Sequence, residues 1–184
     1  MMLDPVFNIV VSLCMTMMFL LAGWHKLASL SQFKVIVAEY DILPQVMTGI
    51  VAISIPVIEL GLALLWLTQL APMITVLSSI ALLSIYCFAI GINLKRGRIH
   101  ISCGCGALYG EAAEEQPLSG WLILRNGLLI LALSICLLPH AERTLLWIDY
   151  IVVIFASCMG LLLYSSVSQL LKNDGFMASW RKSW

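Results

Sequence analysis

A chain of 184 residues that is 61% hydrophobic and 11% charged, with a mean hydropathy of +1.00, is not a water-soluble globular domain, which carries about 25% charged residues. Ten basic and ten acidic side chains balance to a formal charge of zero, which excludes a basic nucleic-acid surface and an acidic solvating tail. The partner implied first is the lipid bilayer.

Five apolar stretches are near the roughly 20 residues needed to cross a hydrocarbon core of about 30 Å: approximately 5–24, 46–67, 71–93, 121–138 and 145–167. None alternates as a barrel strand does, and backbone in lipid must satisfy its own hydrogen bonds, so each reads as a helix. The expected fold is an all-α membrane protein, one integral membrane domain over residues 1–184. It comprises a four-helix transmembrane bundle plus an additional C-terminal span.

The first stretch has neither the basic n-region nor the small-residue cleavage site of a secretory signal, and reads as a retained span. Beyond it, Leu27, Leu30, Phe33, Val37 and Tyr40 recur at spacings of three and four among polar residues. That period predicts a short amphipathic helix at the interface, ending near Pro44. In the second span Pro56 is expected to bend the helix and free a carbonyl. Three residues later stands Glu59, whose charge inside lipid costs at least about 2.5–3.5 kcal/mol unless paired or neutralised. In the fourth span Arg125 and Asn126 raise the same question. Glu59 and Arg125 are candidates to pair with each other; the alternatives are a bond from Glu59 to Asn126 or a hydroxyl, with Arg125 reaching up to headgroups. Trp24, Trp66, Trp121 and Trp147 lie near span ends, as interfacial belt residues do, and His25-Lys26 reads first as an interfacial anchor and second as a contributor to the same buried site.

The connections at Thr68–Leu70 and Pro139–Thr144 are short, so the helices they join are antiparallel neighbours. The longer connections lie on the opposite side. One of them, residues 94–120, opens Lys95-Arg96-Gly97-Arg98 and continues as "RIHISCGCG". Consecutive α-carbons are 3.80 Å apart, so a bend at Gly104 brings Cys103 and Cys105 within the roughly 5.5–6 Å typical of a disulfide. So small a ring is strained, and strained exposed disulfides exchange readily. Gly104 and Gly106 tolerate positive φ and leave room for an incoming thiolate.

The residues alone leave three readings open. The pair is a reactive dithiol, with His100 either a plain surface histidine of the polar loop or a neighbouring cation that favours the thiolate. It is a copper or zinc chelate with His100, although a structural zinc site normally has four ligands. Or it is an inert turn. Cys14, Cys87, Cys136 and Cys158 fall in spans, where cysteine packs as a small apolar residue. No second close pair accompanies the first, so electrons from Cys103 and Cys105 must pass to another molecule.

Five stretches in this order, "FLLAGWHKL", "EYDILP", "PVIELGLALL", the KRGR–CGCG loop and "ILRNGLLI", resemble the MauE family of methylamine utilisation membrane proteins, within the wider DoxX-like group. The resemblance runs from about Phe19 to about Ile130. It implies work beside the thioredoxin-fold protein MauD in maturing the small subunit of methylamine dehydrogenase, a periplasmic subunit with many disulfides. It does not imply methylamine oxidation itself, and it leaves open a non-catalytic membrane anchor or chaperone for MauD or the immature subunit, with the loop cysteines structural. The helical plan is also similar to the DsbB and vitamin K epoxide reductase group, whose four-helix bundles hold a quinone under a reactive disulfide. By that likeness only Cys103 and Cys105 map onto the reactive pair; Arg125, read by its position beneath the loop, is a candidate to bind a quinone carbonyl or steady a thiolate. The chain departs from that second group in having CxC instead of CxxC and in lacking a second pair.

Sidedness is in conflict. The long-loop side carries Lys26, Lys34, Lys95, Arg96, Arg98, Lys172, Arg181 and Lys182, which the positive-inside rule places in the cytoplasm. The resemblance implies a bacterial inner-membrane protein with its cysteine pair at the periplasmic face, where disulfides persist.

Overall fold

The computed structural model describes residues 4–42, 44–98, 101, 118–139 and 143–182. Among them are six helices and no strand: α1 (Pro5–Ala28), α2 (Leu30–Glu39), α3 (Gln45–Thr68), α4 (Pro72–Lys95), α5 (Gly120–Ile135) and α6 (Trp147–Lys182). α1, α3, α4 and residues Trp147–Val167 of α6 are long and apolar enough to cross a membrane. The chain is an all-α, multi-pass membrane protein.

Each boundary has a local cause. Asp4 caps α1, its carboxylate accepting from the Val6 N–H at 3.0 Å, and Pro5 occupies the first helical position, where its missing N–H is no loss. α2 begins just past the break at Ser29 (φ −116°, ψ 45°). It ends before Asp41, which takes a left-handed φ of 48°. Gln69 caps α3 in the left-handed region at φ 53°, and Pro72 starts α4 three residues later. α3 continues through Pro56 as one helix.

α5 is shorter than the sequence predicts. Its 16 residues extend about 24 Å at 1.5 Å per residue, and the chain then tightens through bonds from Leu137 N–H to Ser134 and from Leu138 N–H to Ile135. Pro139 explains this, because the residue before a proline is driven out of the helical region. α6 instead runs well past the expected end at residue 167, to Lys182.

α1 packs on α3 and α6, and α4 on α3 and α5, while α2 lies against α3. The register is fixed by polar contacts at the short-connection end. Ser12 donates to the Trp66 carbonyl at 2.7 Å, and Gln69 Nε2 donates to Ser12 at 2.5 Å. Trp66 corrects the belt expectation: it is 1% exposed, and its indole N–H donates to Ser79 Oγ at 2.9 Å. Trp24, Trp121 and Trp147 are exposed, as expected. At the same end Arg143 bridges Asp4 and Asp149, joining the starts of α1 and α6. The Val6 N–H and this guanidinium hold the Asp4 carboxyl below the usual carboxylate range.

α1 and α3 approach each other closely at Gly23. A Cβ there would lie 2.9 Å from Leu60 Cγ and 3.0 Å from the Pro56 carbonyl oxygen, so only glycine lets the helices meet, as small residues do between membrane helices. Gly23→Ala is therefore expected to destabilise the bundle by about 1–3 kcal/mol, the usual range for overpacking. Gly61→Ala, with nothing within 4 Å, should be neutral. Thermal unfolding of the detergent-solubilised variants measures both.

Candidate functional site

The close approach at Gly23 brings the face of α1 that also carries Lys26 against the middle of α3. Lys26 and Glu59 form an ion pair there, 4% and 1% exposed respectively. Tyr86 of α4 donates to the same carboxylate oxygen, Glu59 Oε1, at 2.6 Å, and Lys26 Nζ also donates to Tyr86 Oη at 3.3 Å. The ammonium lies 5.4 Å from the centre of the Phe33 ring and 5.0 Å from that of Tyr86, within cation–π range. Glu59 is fourteen residues from the start of α3, about 21 Å along its axis, so the carboxylate lies far from either end of α3, while Lys26 reaches it from near the end of α1.

This geometry corrects two expectations. Glu59 takes its cation from Lys26 and not from Arg125, and Lys26 is an interior residue and not an interfacial anchor. α1 extends to Ala28, which carries Lys26 into the bundle. A signal was present in the sequence: an acid in a span demands a cation, and Lys26 shares a helical face with Gly23.

Beside the pair, between α2, α3 and α4, is a cavity of about 230 Å³ whose walls include Lys26, Phe33, Tyr40, Ile55, Tyr86 and Ile90. The amphipathic period of α2 is thus used inward: Phe33 is buried, and Val37 and Tyr40 line the cavity. Next to it, Ile90, Ile101, Leu118 and Leu122 form a small buried cluster with Tyr40 packed against it. Ile101 and Leu118 flank the cysteine motif in the chain, so both ends of that connection are seated on the same patch of α4 and α5. The connection's basic start is held to the link between α2 and α3. Arg98 pairs with Asp41 at 2.9 Å, and Arg96 donates to the Asp41 carbonyl at 2.9 Å.

Cys103, Cys105 and His100 lie outside the described residues. Arg125 is 8% exposed, with its guanidinium carbon 5.2 Å from the centre of the Tyr164 ring on α6. It does not line the cavity. Asn126 is 3% exposed, and its Nδ2 has no hydrogen-bond partner among the described residues. The same holds for Oδ1 of Asn93 on α4, which is fully buried. Cys14, Cys136 and Cys158 are free thiols, and Cys87 is half-buried. Cys14 and Cys136 pack inside the bundle, whereas Cys158 is exposed.

Removing one partner of a buried pair strands the other charge, at a cost of about 3–5 kcal/mol. Lys26→Met and Glu59→Leu should each lower thermal stability by that order. The double variant should recover most of the loss, since both charges are then gone. Unfolding of the three proteins in one detergent tests this, and single variants that melt like the parent contradict it.

The chain was compared with known proteins. Residues 4–139 match the family model described as methylamine utilisation protein MauE, a match that ends before α6. Methylamine utilization protein MauE of Paracoccus denitrificans is 32% identical over 85% of this chain and 82% of its own length. The Methylophilus methylotrophus protein of that name is 34% identical over 55% of this chain and 54% of its own. That of Paracoccus versutus is 29% identical over 83% and 81%. No solved structure matches the chain. With a family model matching residues 4–139 and a relative 32% identical over 85% of the chain, the chain belongs to the MauE family.

Proposed function

We propose that the chain serves methylamine utilisation as a membrane thiol-disulfide oxidoreductase whose reactive groups are Cys103 and Cys105. A CxxC dithiol of a thioredoxin-fold partner of the MauD kind attacks the Cys103–Cys105 disulfide. One sulfur leaves as a thiol, a mixed disulfide forms, and the partner's second cysteine resolves it. Two electrons and two protons then reside on Cys103 and Cys105, and the oxidised partner introduces disulfides into the small subunit of methylamine dehydrogenase. His100 is the neighbouring cation that favours the thiolate. Arg125 and Asn126, buried at the start of α5, are supporting residues beneath the connection.

The observation that supports this reading most is the seating of the connection's two ends. Ile101, two residues before Cys103 in the chain, and Leu118 are both held in the cluster with Ile90 and Leu122. A reactive pair meant to meet a partner protein needs such a fixed base under it. The family's relatives carry methylamine utilisation in their names, which supports the pathway. The proposed site is the periplasmic face of the bacterial inner membrane.

Trapping tests the exchange. With Cys103→Ser or Cys105→Ser, one of the two is expected to accumulate a mixed disulfide with the thioredoxin-fold partner. It would be seen as a reductant-sensitive adduct on a non-reducing gel after acid quenching. If neither variant forms an adduct, and the double serine variant matures the subunit as the parent does, the chain is an anchor and the exchange reading fails.

A further inference from the structure

We infer that the cavity between α2, α3 and α4 holds one acyl chain of an anionic glycerophospholipid, with the lipid phosphate beside Arg96 at the cavity's rim. The shape selects a chain. The wall follows α2 from Phe33 to Tyr40, seven residues or about 10 Å at 1.5 Å per residue. A volume of about 230 Å³ over that length leaves a slot about 5 Å across. A helix of a partner protein, about 10–12 Å in diameter, does not fit such a slot, and a single polymethylene chain does.

The lining and the opening agree with a chain drawn from the bilayer. Ile85 and Phe88 belong to the wall and are exposed, so the slot is open sideways to lipid. Val51 and Ile55, one turn apart on α3, form another wall. Lys26 and Tyr86 close the deep end. Lys26 is paired there with Glu59, and Tyr86 donates to the same carboxylate, so no unmatched charge meets the chain. α2 gains most from the occupant: Phe33 is its buried residue, and a chain in the slot gives its inner face a further surface to pack on.

The rim supplies the headgroup preference. Ile42, at the link between α2 and α3, lines the shallow end. Arg96 donates from Nη1 to the carbonyl of the adjacent Asp41 at 2.9 Å, which sets its guanidinium at the mouth. Arg98 pairs with the Asp41 carboxylate. Lys95 and Arg96 then stand against Glu39, all three exposed, so these rim residues carry one positive charge in excess. Among the described residues Arg96 makes no salt bridge, and a guanidinium presents its N–H donors in a fork that matches two phosphate oxygens. An anionic lipid supplies the missing charge, whereas a zwitterionic one brings a further cation to a rim that already has a surplus. Basic residues at a membrane edge favour anionic headgroups for this reason.

The test is photolabelling of the full chain in nanodiscs containing phosphatidylglycerol with a diazirine on one acyl chain, followed by peptide mass spectrometry. Labels are expected on cavity-lining residues of α2, α3 and α4, above the level on the lipid-facing residues of α6. Unlabelled phosphatidylglycerol should compete more strongly than phosphatidylcholine. Arg96→Gln, on the exposed rim and outside the slot, should cut that preference about fivefold, the factor for one basic residue near a membrane surface. Ile55→Trp, which fills the slot, should abolish the cavity labels. Leu64→Trp, at an exposed position of the same helix, should leave them unchanged. Labels spread evenly over the lipid-facing residues of every span, cavity labels that persist in folded Ile55→Trp protein, or equal competition by the two phospholipids would each overturn the site. None of these readouts involves Cys103 or Cys105, so failure of the exchange reading leaves them as they are.

Discussion

A charge inside lipid has nothing to solvate it except the protein, and this constraint organises the molecule around Glu59. The carboxylate is 1% exposed, far from either end of α3. It is held by Lys26 from α1 and Tyr86 from α4, so one oxygen atom joins three helices. Apolar packing between membrane helices is non-directional and lacks the drive it has in water. A shared polar contact instead sets register. Gly23 makes the contact reachable by letting α1 close on Pro56 and Leu60. The Ser12–Trp66–Gln69 bonds fix the same two helices at the other end.

From that junction the functional side of the bundle follows. Lys26 stands near the end of α1, so the break at Ser29 and the start of α2 occur beside the pair, and α2 is laid along α3 with Phe33, Val37 and Tyr40 turned inward. The space left between α2, α3 and α4 is the cavity. Tyr40 and Ile90, on its wall, also meet Ile101 and Leu118. A buried ion pair, an apolar cavity and the footing of the cysteine connection are thus consecutive in space. None of the three was adjacent to the others in the sequence.

The helical spans were legible because apolar runs long enough to cross a bilayer have few other uses, and α2 because its period of three and four is explicit. Less was legible wherever an answer depended on which helices meet. Glu59 was visible as a problem, but Arg125 and Lys26 were both available cations, and only the α1–α3 approach selects Lys26. Trp66 carried the belt signal of a span end, yet Ser79 on α4 gives its indole a buried acceptor. The end of α5 was misjudged because hydropathy continues through Leu138 while the backbone answers to Pro139. The cysteine motif was the clearest chemical signal in the chain, and it falls within the residues that match the family model.

The central claim is that Cys103 and Cys105 cycle between dithiol and disulfide through a thioredoxin-fold partner. Its most direct measurement is the redox state of the two cysteines in intact cells, read by acid quenching and differential thiol alkylation, with and without the partner's gene. The account predicts a mixture of oxidised and reduced pairs that shifts to the fully oxidised form when the partner, as the source of electrons, is removed. An oxidation state unchanged by the partner's removal would contradict it.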